Sequence, residues 1–176
     1  MSNILVFDAS SSWCSASLSI DGAVYSAAEM QPRKHAQLLM PMIENLCQQA
    51  NIKPKDLDGI AFGKGPGSFT GLRIAISVAQ GLSLATGAKL LGISSLEALA
   101  WQGMKQKGVD HVFAIMNAHM GEVFYGAYCQ AETGITCLFE DALCKPEQVD
   151  FSAISPSHVT YTTLTLPTKR KETRAV

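Results

Sequence analysis

Long hydrophobic stretches are missing from this sequence: no apolar run reaches the ~18 residues that a membrane-spanning helix needs. The opening segment, Met1 to Asp8, is too short and uncharged for a secretory signal and reads as a first strand. Cysteine is sparse. The five residues (Cys14, Cys47, Cys129, Cys137 and Cys144) are an odd number without a C-x-x-C pair, which argues against a zinc ribbon or a complete disulfide framework and fits a cytoplasmic protein. Charge is thin as well, at 16% Asp, Glu, Lys and Arg with a net of −1. That small net hides an asymmetry. Residues 169–176 hold Lys169, Arg170, Lys171 and Arg174 against Glu172, a net of +3, so the remainder carries ten basic against fourteen acidic residues, or −4. A body of that sign is no nucleic-acid surface on electrostatics alone, and the basic end reads as a solvated tail. What the 176 residues do have is apolar content, 47%, enough for one domain or two small lobes.

Patterning predicts a mixed α/β chain. Ile4 to Phe7 is a buried strand ending in the turn Asp8-Ala9-Ser10. Ser15 to Ile20 alternates as a half-buried strand, Asp21-Gly22 supplies a tight hairpin turn, and Ala23 to Met30 returns. A helix over Lys34 to Ala50, a strand over Gly59 to Phe62, a helix over Leu72 to Thr86, a strand over Lys89 to Ile93 and a third helix ending near Gly108 follow. The plan then restarts. Val112 to Met116 with Asn117-Ala118-His119 echoes the first strand and its turn about 109 positions later. Val123 to Cys129 and Ile135 to Phe139 form a second hairpin, and Lys145-Pro146-Glu147 opens a helix. Two related lobes are expected: residues 1–108 as the first, 109–158 as a partial second, and 159–176 as an atypical tail whose strand-like Val159 to Leu166 runs into the charges.

The densest motif is the glycine-rich segment from Gly63 to Gly71, entered from a strand and left by a helix. It matches neither the Walker phosphate loop nor the G-x-G-x-x-G dinucleotide spacing. Two readings stand: a sharp turn that needs glycine for close backbone approach, or an anion or ligand contact at a helix start. On the second reading, Asp8, Gly65, Gly67 and Ser68 are the candidate cofactor-binding residues. No G-x-S-x-G elbow occurs, and none of His35, His111, His119 and His158 stands four residues from another, so no helical metal pair forms.

The two main helices carry more apolar surface than one face requires. Leu39, Met42, Ile43 and Leu46 crowd the first, while Gly71, Ala75, Ala79 and Ser83 make a small-residue strip on the second, with Leu82 beside it. Burial on two sides is implied: either between the sheet and another helix of the same chain, or with one face on the sheet and the other on a partner protein, the reading favoured here because both helices show the same excess. These nine residues are therefore the expected interface.

The segments Ile4-Leu5-Val6-Phe7-Asp8-Ala9-Ser10, Arg33-Lys34-His35 leading to Leu38-Leu39-Met40-Pro41, Gly65-Pro66-Gly67-Ser68-Phe69-Thr70-Gly71-Leu72-Arg73, Gly92 to Leu99 and Met120 to Phe124 together resemble the TsaB (YeaZ) family of tRNA threonylcarbamoyladenosine biosynthesis proteins. The resemblance covers about residues 1–150. It departs at Asn117-Ala118-His119, where the family usually reads Asp-Ala-Arg, and in the tail. It implies an α/β fold of the actin/hexokinase/Hsp70 ATPase type with a second lobe cut short. It also implies a non-catalytic subunit that binds and activates TsaD through the N-lobe helices, with TsaE completing the complex and tRNA met through it. ATP or ADP and metal then belong to the partner subunits rather than to this one, and without TsaD the helices pair as a homodimer. An ATP-binding kinase or ATPase of the same fold and a glycoprotease-like metallopeptidase are the alternatives.

Overall fold

The computed structural model describes residues 2–152 and 160–164. The chain divides into two compact units between Ser94 and Ser95.

The first unit is a five-stranded sheet in the order β3-β2-β1-β4-β5. β1 (Ile4–Asp8), β2 (Cys14–Ile20) and β3 (Ala23–Glu29) form an antiparallel meander, turned at Asp21 and Gly22, both with positive φ as the sequence predicted. β4 (Gly59–Gly65) and β5 (Lys89–Ser94) continue the sheet in parallel with β1. The crossovers are α1 (His35–Gln49) and α2 (Phe69–Thr86). Alternation places Leu5 and Phe7 of β1, Ala16 and Leu18 of β2 and Ile60 of β4 on one face, where they meet Leu39, Ile43 and Leu46 of α1 and Ala75 and Ala79 of α2 in a single core. α2 starts three residues earlier than the apolar pattern indicates, because Ser68 caps it by accepting the Gly71 N–H at 3.3 Å. It stops at Gly87, left-handed at φ 78°.

The second unit is a four-stranded sheet, β8-β7-β6-β9. Its strands are β6 (His111–His119), β7 (Glu122–Ala131), β8 (Gly134–Cys144) and β9 (Thr160–Leu164), with β6 and β7 and then β7 and β8 antiparallel and β9 parallel to β6. This is the order and sense of β3-β2-β1-β4, so the suspected duplication is visible in the topology. It recurs in the turns: the Ser10 N–H donates to Asp8 Oδ1 at 2.9 Å and the His119 N–H to Asn117 Oδ1 at 2.7 Å.

Four further sequence expectations are corrected. The lobe boundary falls before α3 (Ser95–Lys107), not after it, because Leu96, Leu99, Ala100 and Met104 pack on Val112, Ala114 and Tyr128 of the second sheet. The strand expected within Val159 to Leu166 is present at Thr160–Leu164, but as β9 it pairs with β6 and belongs to the second sheet rather than to a tail, while residues 153–159 and 165–176 lie outside the described set. The helix expected after Lys145 is only a three-residue 3-10 turn, Pro146–Gln148, and the chain is extended again at Val149. β8 also outruns its predicted end at Phe139: shifts in its pairing with β7 carry it past Glu140 and Asp141, where the Tyr128 hydroxyl donates to the Asp141 carboxylate.

Candidate partner-binding surface

Asp8 spends its carboxylate within its own turn. Oδ1 accepts the Ser10 N–H, and the Ser10 hydroxyl donates to the same carboxylate at 2.9 Å. The glycine-rich loop then closes onto this turn. The Ser68 N–H donates to the Ser10 carbonyl at 2.7 Å. A Cβ on Gly67 would stand 2.6 Å from that carbonyl oxygen, and one on Gly71 would overlap the Ala9 carbonyl oxygen. Gly65 has φ +96°, a conformation that disfavours every residue with a side chain. Asp8, Gly67 and Ser68 do come together, but around the chain's own Ala9–Ser10 backbone. Close backbone approach therefore explains these glycines.

Cys14, at the start of β2, is buried. Burial first, then the carboxylates of Asp8 and Glu29, raise its thiol pKa, so it remains the thiol and makes a poor nucleophile. Asp8→Asn keeps the acceptor for the Ser10 N–H and is expected to cost no more than about 1 kcal/mol. A urea midpoint close to wild type, with unchanged self-association, checks this.

The nine residues expected at an interface are placed otherwise. Leu39, Met42, Ile43 and Leu46 are buried in the first unit, with Ala75, Ala79 and Leu82 in the same cluster. Gly71 sits against the β1 turn. Ser83 is half-buried, and its hydroxyl donates to the Ala88 carbonyl at 2.8 Å. The small-residue strip is the face that lets α2 lie close on its own sheet, so these positions build the lobe's interior.

The uncovered surface lies on the opposite side of α2. Phe69, Arg73, Gln80 and Leu84 form an exposed line with half-buried Ile76 among them, at helical spacings of four and seven. Phe69 is 69% exposed and Leu84 90%. The Arg73 guanidinium carbon stands 3.4 Å from the centre of the Phe69 ring. Beside it, α1 exposes Gln37, Pro41, Glu44 and Gln48. The sequence did hold this signal: once the strip of small residues is taken as the buried face, the line from Phe69 to Leu84 is what remains.

A family model described as TsaD, tRNA N6-adenosine threonylcarbamoyltransferase, matches residues 27–167. The structure of YeaZ from Pseudomonas aeruginosa superposes with a TM-score of 0.85 at 37% identity, covering 92% of this chain and 75% of that one. The chain belongs to the TsaB (YeaZ) family. The tRNA threonylcarbamoyladenosine biosynthesis protein TsaB of Escherichia coli is 38% identical over 147 residues, 83% of this chain. That of Haemophilus influenzae is 29% identical over 153 residues. The chain spans 64% of the length of the first of these TsaB proteins and 65% of the second. Membership in the TsaB family fixes the architecture as the α/β type of the actin/hexokinase/Hsp70 ATPases. Among the described residues, no helix is long and apolar enough to cross a membrane.

Proposed function

We propose that this chain acts in tRNA threonylcarbamoyladenosine biosynthesis as a non-catalytic subunit that binds and activates TsaD. In this reading TsaE and tRNA join the assembly, ATP or ADP and metal are carried by the partner subunits, and the work is done in the cytoplasm. The observation that carries the reading is the exposed line from Phe69 to Leu84. A leucine 90% exposed and a phenylalanine 69% exposed on one face of an otherwise well-packed helix form a surface suited to another protein. The turn at Asp8 supports the non-catalytic role. Its carboxylate is engaged by Ser10, and the amide of Ser68 is used on the Ser10 carbonyl rather than offered to a phosphate. Without TsaD the same face is expected to pair with itself, as two-fold dimers bury one patch twice.

Gel filtration of the chain mixed with TsaD tests the reading directly, with one co-eluting peak as the expected result. Titration with magnesium ATP separates it from a kinase or ATPase, since sub-millimolar affinity of the isolated chain would favour the enzyme. Stoichiometric zinc or iron in the purified chain would revive a metallopeptidase. Leu84→Glu places a charge at the C-terminal end of the exposed line and is expected to weaken the complex by ~2 kcal/mol or more, as for a truncated hot spot. Its circular dichroism spectrum should stay that of wild type, because Leu84 touches none of the core.

A further inference from the structure

We propose that β3, the outer strand of the first sheet, pairs antiparallel with β3 of a second copy of this chain, Ser26 facing Ser26, so that two five-stranded sheets become one. The contact lies on a different element from the line Phe69 to Leu84 and does not depend on it. β3 bonds to β2 on one side and ends the sheet on the other. Asp21 and Gly22, both at positive φ, make a two-residue turn closed by the pair Ile20 and Ala23. Such a turn makes its closing pair a hydrogen-bonded one, and the bonding then alternates along the strand. Ala23, Tyr25, Ala27 and Glu29 therefore direct their amides and carbonyls at β2, while those of Val24, Ser26 and Ala28 point away from the sheet. Among the described residues no turn or loop backbone covers these three. A row of outward N–H and C=O groups at that spacing is matched by another extended chain.

Two other edges are guarded, and this one is not. β8, an edge of the second sheet, is interrupted by shifts in register and carries exposed Glu140 and Asp141. β5, the opposite edge of the first sheet, opens on Lys89 and shifts register against β4 at Gly63 and Gly65. β3 keeps one register over its seven residues, without lysine, proline or bulge, and its single charge, Glu29, stands at the end. A two-fold axis at Ser26 pairs every outward residue: Ser26 with Ser26, and Val24 with Ala28 on either side, each pair exchanging two hydrogen bonds. Moving the axis to Tyr25 or Ala27 leaves one outward residue of each copy without a strand partner. The side chains agree with the first register. Val24 is 67% exposed, and Met30, just beyond β3, is 53% exposed. Met30 lies two positions past the Ala28 that faces Val24, so the two meet diagonally at both ends of the join. On the other face, half-buried Tyr25 falls opposite the small Ala27. Glu29 faces Ala23 rather than another carboxylate. An unrelated strand would match one end of this pattern, whereas a second copy matches both.

Sedimentation velocity of the full chain carrying Leu84→Glu, which removes the contact on α2, reads the β3 contact alone over a micromolar concentration series. A concentration-dependent dimer is the expected result. Val24→Lys in that background should weaken it at least tenfold, by setting an ammonium beside Ala28 and Met30 of the second copy. Ser26→Pro should do the same by deleting the central donor, which faces away from β2, so the hairpin keeps its ladder. Circular dichroism checks that both variants stay folded, and exposed Val24 keeps the test decisive if the proline variant unfolds. Cross-linking reads the register, since facing Cα atoms about 5.5 Å apart suit a disulfide. With Cys137→Ser removing an exposed thiol, Ser26→Cys should oxidise to a covalent dimer at least tenfold faster than Val24→Cys. A monomeric Leu84→Glu chain, a dimer indifferent to Val24→Lys, or equal cross-linking of the two cysteine variants would each overturn the proposal.

Discussion

Ala79→Arg should yield no folded first lobe. Ala79 has no exposed surface and lies in the cluster that joins α2 to the sheet. An arginine there must either bury an unpaired guanidinium or push the helix off its sheet. Either outcome is comparable to the roughly 5–15 kcal/mol that holds a typical domain together. Far-UV circular dichroism and solubility on expression are the measurements. A soluble Ala79→Arg protein with a wild-type spectrum would show that the small-residue strip faces outward after all. The contrast with Leu84→Glu, only five residues on, is the strongest statement about which side of α2 is which: one substitution destroys the fold, the other only the association.

Gly71→Ala is the second large effect, although it adds a single methyl group. The new Cβ would overlap the Ala9 carbonyl oxygen, and both partners are backbone, so no side chain can turn aside. Relief requires the first turn of α2 to move away from the β1 turn, which also strains the Ser68 N–H bond to the Ser10 carbonyl. A cost of at least ~3 kcal/mol is expected, the upper end of ordinary overpacking. For a unit of this size that lowers the melting temperature by roughly 10 °C or more. Gly81→Ala on the same helix is the control. Nothing lies within 4 Å of its added Cβ, and an exposed helical position gains about 1 kcal/mol from alanine. Differential scanning calorimetry of the pair should therefore show shifts of opposite sign.

Much of the fold was legible in the residues. The Asp21-Gly22 hairpin, the alternation of Ser15 to Ile20, the stop at Gly87 and the echo of Asp8-Ala9-Ser10 in Asn117-Ala118-His119 are local signals, and each has its expected counterpart in the structure. The lobe boundary was not legible. α3 follows β5 without a break, and only the packing of Leu96 and Leu99 on Val112 and Tyr128 assigns it to the second sheet. The interface was misread for a related reason. Composition shows that α2 is apolar on more than one side, yet it does not say which side meets the sheet. The close approach of Gly71 to Ala9 decides that, and it is a contact between residues more than sixty positions apart. Of the exposed pair, Phe69 sat inside the glycine-rich motif and Arg73 two residues past its end, where the glycines drew attention to backbone chemistry instead.

The parallel pairing of β1 with β4 also bears on the order in which the first lobe assembles. β1, β2 and β3 zip together through short turns, whereas Ile4 must find Gly59 across the whole of the meander and α1. Closing that long loop is an entropic barrier met before any of its contacts form, so the meander is available early and β4 joins late. The seat of Gly71 against Ala9 exists only once β4 is in place. Damage there consequently speeds the escape from the native state far more than it slows arrival, and the lifetime of the folded lobe, rather than its rate of formation, depends on that one missing side chain.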